Sequence, residues 1–87
     1  MSEYHICGVL LMARPERAEA VVGAIESLPG VELHANDGGR MVVTVEGAAF
    51  DSCADTMDRL AALSGVASSS LVYHEIDTEQ QREGSPQ

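Results

Sequence analysis

Leu28-Pro29-Gly30-Val31 and Leu63-Ser64-Gly65-Val66 are the same signal given twice, and they decide how this chain folds. Each quartet ends an amphipathic stretch and opens an apolar one, with a glycine where a helix stops and a strand begins. Working back from each, a helix-like segment is preceded by a strand-like one. The order is therefore β-α-β, a tight turn, and β-α-β again. Two such halves interlock as one sheet with both helices on the same side.

Tyr4 to Ala13 is apolar at nearly every position, as expected of a central strand. Arg14-Pro15 breaks it, and Pro15 suits a first helical turn. Ala18, Val21, Val22, Ile25 and Leu28 then recur at helical spacing, with Glu16, Arg17, Glu19 and Glu26 off that stripe. Val31, Leu33 and Ala35 alternate with Glu32, His34 and Asn36 as a half-buried strand. Asn36-Asp37-Gly38-Gly39 is a hairpin signal, and Arg40 to Glu46 returns with Met41, Val43 and Val45 on one side. The second helix covers about Ala49 to Leu63, with Cys53, Met57, Leu60 and Ala61 inward. Val66 to His74 is the last strand. The elements predict a ferredoxin-like α+β fold, βαββαβ, with an antiparallel sheet in the order 4-1-3-2. Residues 1–76 form that domain. Residues 77–87, almost without apolar content, are expected to be a disordered acidic tail.

Composition excludes several classes of function. The chain has 87 residues, 14 Asp+Glu against 5 basic residues, and a formal net charge of −9. Such a surface repels phosphate backbones and anionic lipid, so neither nucleic acid nor a membrane is expected as partner. A basic peptide suits it, although acidity also serves simply to keep a small protein in solution. A sheet that stacks on RNA needs several aromatic residues in basic surroundings, and one Phe and two Tyr do not supply them. Cys7 and Cys53 fall on different elements and read as small buried hydrophobes rather than a disulfide. Cys-x-x-Cys and His-x-x-x-His spacings are absent, and strand parity puts His5 and His74 on opposite faces, so no metal is expected. Ser68-Ser69-Ser70 alternates faces instead of converging on a base, so no catalytic residue and no cofactor are predicted. The apolar run from Ile6 to Ala13 is too short to span a bilayer and follows Glu3 rather than a basic segment. The expected location is cytoplasmic.

With no catalytic set, the sheet face away from the helices is the candidate for function. Glycine adds nothing to a core, so Gly8 is assigned outward, with Ile6, Leu10 and Met12. On the second strand Glu32, His34 and Asn36 share that face, and on the third Val42, Thr44 and Glu46. On the last strand Leu71 and Tyr73 make the better core pair, which leaves Ser68, Ser70, Val72 and His74 outward. Ile6, Leu10, Met12, Val42 and Val72 form an apolar strip, Gly8 gives room for close approach, and Glu32 and Glu46 lie to one side. Ser70 and His74 are candidate hydrogen-bonding groups. An exposed strip of this kind marks a binding surface or the interface of a dimer. The oligomeric expectation is a monomer or weak dimer.

The residues also carry a likeness. Ile6-Cys7-Gly8-Val9, Glu16-Arg17, Pro29-Gly30-Val31-Glu32, Val42-Val43-Thr44-Val45-Glu46 and above all Ser70-Leu71-Val72-Tyr73-His74, in this order and followed by a Gln/Glu-rich tail, resemble the NapD family. The resemblance covers Tyr4 to His74. It implies a non-enzymatic cytoplasmic chaperone for maturation of periplasmic nitrate reductase. Its partner would be the twin-arginine signal peptide of the catalytic subunit, held back from export until the molybdenum cofactor is inserted. The face drawn above, apolar at the centre and acidic nearby, complements a peptide that is basic at its start and apolar further on. The rival reading is a dimeric ferredoxin-like regulatory module that binds a small metabolite, for which Asp37-Gly38-Gly39 is the one available loop.

Overall fold

The computed structural model describes residues 3–78. Its elements are β1 (Glu3–Ala13), a 3-10 turn (Pro15–Arg17), α1 (Ala18–Glu26), β2 (Val31–Asp37), β3 (Arg40–Gly47), α2 (Phe50–Ala61) and β4 (Val66–Thr78). They form a four-stranded antiparallel sheet in the order β2-β3-β1-β4, the βαββαβ arrangement expected, with both helices on one face.

The two quartets act alike in space. Gly30 and Gly65 have φ of 77° and 98°, a region that a side chain makes costly. The Gly30 carbonyl accepts a hydrogen bond from the Glu46 amide at 2.8 Å, and the Gly65 carbonyl accepts one from the Arg14 amide at 2.9 Å. Each glycine thus ends a helix and ties its turn to a strand end in the other half. The hairpin between β2 and β3 needs positive φ at both central residues, which Gly38 and Gly39 supply at 62° and 105°. Asn36 Oδ1 accepts the Gly39 amide.

The core lies between sheet and helices. Cys7, Val9 and Leu11 of β1 and Met41, Val43 and Val45 of β3 meet Val21 and Ile25 of α1 and Cys53 and Leu60 of α2. Every one of these is fully or almost fully buried. Burying a large aliphatic side chain stabilises by about 1.5–3 kcal/mol, so the alternation of β1 and β3 is strongly fixed. The stripe of α2 is narrower than expected, since Ala61 faces solvent and Met57 is half-buried. The thiol of Cys53 points at the carbonyls of His5 and Val45, 3.5 and 3.9 Å away. Burial, and then the neighbouring Cys53, push the Cys7 thiol up to about 11. Both cysteines are free.

Three register shifts interrupt the ladders of the edge strands; one brings Val66 opposite Ala13, and the other two change the faces that alternation alone assigns. In β2 the register passes from Leu33↔Val43 to Ala35↔Val42, so Ala35 joins Val42 on the open face and Asn36 pairs with Met41 on the helical side. In β4 it passes from Tyr73↔Gly8 to Leu71↔Val9. Tyr73, expected in the core, is therefore on the open face. His74, expected on the open face, pairs with Cys7 on the helical side. The assumed separation of His5 and His74 is corrected with it: His5 Nδ1 lies 2.9 Å from His74 Nε2, and the Phe50 ring packs on His74 at 4.7 Å. Leu71, the other expected core residue, pairs with Val9 but stays 49% exposed at the sheet edge. β4 also runs four residues past His74, so Asp77 and Thr78 belong to the strand. The rest of the expected disordered tail, 79–87, lies outside the described residues.

Candidate functional site

The open face is built on the unbroken β1–β3 ladder, where Ile6 pairs with Glu46, Gly8 with Thr44, Leu10 with Val42 and Met12 with Arg40. Directly opposed residues share a face. Glu32 of β2 adds itself beside Thr44, and Ser70 of β4 beside Leu10. Nine of the predicted residues are thus brought together: Ile6, Gly8, Leu10, Met12, Glu32, Val42, Thr44, Glu46 and Ser70. Leu10 and Ile6 are half-buried by their neighbours, whereas Val42 is 43% and Met12 36% exposed. Among the described residues no helix covers them, because α1 and α2 both pack on the opposite face.

Two predicted residues are not part of this surface as drawn. His74 is on the helical side. Val72 is the bulged residue of β4, unpaired with β1 and 60% exposed at the margin.

Two residues that parity missed take their place. Tyr73 lies on Gly8: a Cβ built there would sit 2.1 Å from Tyr73 Cε2, 2.5 Å from Cδ2 and 2.7 Å from Cζ. The trough expected at Gly8 is real but occupied, and the glycine is what lets the ring lie so close. Glu75 pairs with Ile6 from the β4 side, as Glu46 does from the β3 side. A glycine inside an otherwise apolar central strand was the available signal for the first. Nothing in the sequence marks the bulge that moves both residues outward.

Charge is graded along this face. Ile6 is flanked by Glu46 and Glu75, with Glu32 one strand further out. At the other end Arg40 stands between Met12 and Asp37. On β2, His34 Nε2 lies 2.7 Å from Thr44 Oγ1, which orients both polar groups at the acidic side. The Asp37-Gly38-Gly39 loop is consumed by hairpin geometry, with Gly39 packed against the Ala13 carbonyl, and forms no ligand cradle. Among the described residues no three His, Cys, Asp or Glu side chains converge as metal ligands, and no helix is long and apolar enough to cross a membrane.

Comparison with known proteins agrees with this architecture. The NapD protein family model matches residues 4–78. Chaperone NapD of Paracoccus pantotrophus is 33% identical over 79 residues, covering 91% of this chain and 70% of that protein. Chaperone NapD of Escherichia coli K12 is 28% identical over 87 residues, covering 98% of each. The solution structure of the E. coli Tat proofreading chaperone protein NapD superposes with a TM-score of 0.77 at 28% identity, covering 97% of this chain and 88% of that one. With a family match spanning every strand and helix of the sheet just described, the chain belongs to the NapD family, whose members are chaperones and not enzymes.

Proposed function

We propose that the open face binds the twin-arginine signal peptide of a periplasmic nitrate reductase catalytic subunit. Binding in the cytoplasm would delay export until the molybdenum cofactor is in place. The observation that carries this reading is the strip of Ile6, Leu10, Met12 and Val42 that the described residues leave without a helix, bordered by Glu46, Glu75 and Glu32. It offers apolar contact to the apolar part of such a peptide and negative charge to its basic start. Membership of a chaperone family, and the Tat proofreading role of the structurally similar E. coli chaperone, support the same assignment.

Apolar contact supplies most of the affinity, because exposed ion pairs contribute only about 0–1 kcal/mol each. Calorimetry with a synthetic signal peptide should give a dissociation constant of micromolar or better, about −8 kcal/mol. Leu10→Asp should weaken binding more than Glu46→Gln does. A Leu10 variant that binds like the parent, beside a charge reversal at Glu19 on the helical face that abolishes binding, would place the site on the wrong side of the sheet.

A further inference from the structure

We infer that Tyr73 is a stacking platform for an arginine guanidinium, and that it fixes the direction in which a peptide lies across the sheet. The inference rests on the peptide-binding reading of this face. Three contiguous ring atoms, Cε2, Cδ2 and Cζ, all lie within 2.7 Å of where a Cβ on Gly8 would sit, with Cε2 nearest. That pattern arises when the ring lies face-down on the strand, and an edge-on ring would bring only one atom so close. Tyr73 as a whole is 46% exposed, which leaves area for a second group to stack on a ring whose other side covers Gly8.

The surroundings select the cation. Gly8, beneath the ring, is two residues from Ile6 on the same face, and Ile6 is flanked by Glu46 and Glu75. Directly opposed side chains on a sheet face are about 5 Å apart, and successive ones on a strand about 7 Å. A planar group on Tyr73 therefore has carboxylates within reach on both sides. Among the described residues neither Glu46 nor Glu75 is in an ion pair. Guanidinium is flat, weakly hydrated and able to stack while its edge donates to a carboxylate, whereas an ammonium is a compact, strongly hydrated point charge. Arginine is accordingly preferred over lysine here.

Direction follows from the opposite end of the face. There Arg40, beside Met12, is balanced by Asp37 directly across from it, so that end carries no net negative charge to hold a cation, whereas the other end carries Glu46, Glu75 and Glu32. The basic segment of the peptide therefore lies over Tyr73 and Ile6, and its apolar segment runs over Leu10 and Val42 towards Met12.

The test uses the full chain and two signal peptides that differ only by replacement of both adjacent arginines with lysines. The parent should prefer the arginine peptide by about tenfold, and Tyr73→Leu should cut that preference to about threefold or less, while Tyr73→Phe keeps it. A nitroxide on the basic end of the arginine peptide should broaden the NMR signals of Ile6 and Tyr73 before that of Met12. An undiminished preference in a folded Tyr73→Leu protein, or broadening that begins at Met12, overturns the inference. N-acetylarginine amide and N-acetyllysine amide keep the two readings separable. If neither signal peptide binds, the proposed function fails. Shifts at Tyr73 with the arginine amide alone would still uphold the subsite, and equal or absent shifts would end it.

Discussion

Gly8→Ala separates stability from binding at the centre of the open face. The backbone at Gly8 has no positive φ, so alanine fits the strand. Its Cβ, however, would lie 2.1 Å from Tyr73 Cε2, and the ring must swing off the sheet. Loss of the contact exposes roughly 50 Å² of apolar area, costing about 1.3 kcal/mol at ~25 cal/mol per Å². Replacing glycine in a strand returns roughly 0.5–1 kcal/mol by restricting the unfolded chain. The two terms nearly cancel, so the net loss is under about 1 kcal/mol, a fall of a few degrees in Tm for a domain of this size. Binding has no such compensation. Removal of a stacked aromatic face costs about 1–2 kcal/mol, or roughly 5–30-fold in affinity for the arginine-bearing peptide. Thermal melts followed by circular dichroism, with calorimetry on the same sample, measure both. A drop in Tm beyond about 10 °C would mean that Tyr73 is a core element. Unchanged affinity would mean that the peptide never touches it.

Gly30→Ala and Gly65→Ala should each destabilise by about 2 kcal/mol or more in urea denaturation, because both need positive φ and a Cβ would meet the Glu46 carbonyl at 2.7 Å or Arg17 Cβ at 2.6 Å. Gly23→Ala, in α1 with nothing within 4 Å, should instead stabilise by up to about 1 kcal/mol. The Cys7 thiol is held above its ordinary value of 9.0, at about 11, mainly by burial. Its contribution to stability is therefore complete below about pH 9 and is lost as the pH rises towards 11. The urea midpoint of the parent should fall over that range more than that of a Cys7→Ala/Cys53→Ala protein, and parallel curves would contradict the burial argument. A chain ended at His74 should melt several degrees below one ended at Thr78, since it forfeits the four register pairs from Ile6↔Glu75 to Glu3↔Thr78. Equal melting would show that this end of the ladder adds nothing.

What could be read from the sequence followed the strength of burial. β1 and β3 sit in the middle of the sheet; alternation in β3 made Val42, Thr44 and Glu46 legible, while in β1, apolar at nearly every position, Gly8 alone set the parity that turned Ile6, Leu10 and Met12 outward. The edge strands are pinned less firmly and have room for an extra residue. In β4 the extra residue beside the site is Val72, in a run where Leu71, Val72 and Tyr73 are all apolar enough to face inward. Alternation then has no polar marker to count from, and the bulge exchanges Tyr73 with His74. The same cause hid Glu75 and the contact between His5 and His74. In β2, His34 plays the equivalent part and carries Ala35 outward.

The bonds from Glu46 to the Gly30 carbonyl and from Arg14 to the Gly65 carbonyl run in opposite senses between the two βαβ halves. Each half lends its turn to the other, so the repeat works as a mutual clasp and not as two modules placed side by side. Neither half closes its own sheet edge, and a chain cut at Gly38-Gly39 would yield two fragments that fold only on meeting. The hairpin at Gly38-Gly39 shortens the search for that partner, and the reciprocal bonds lock each turn against it once the ladders have formed.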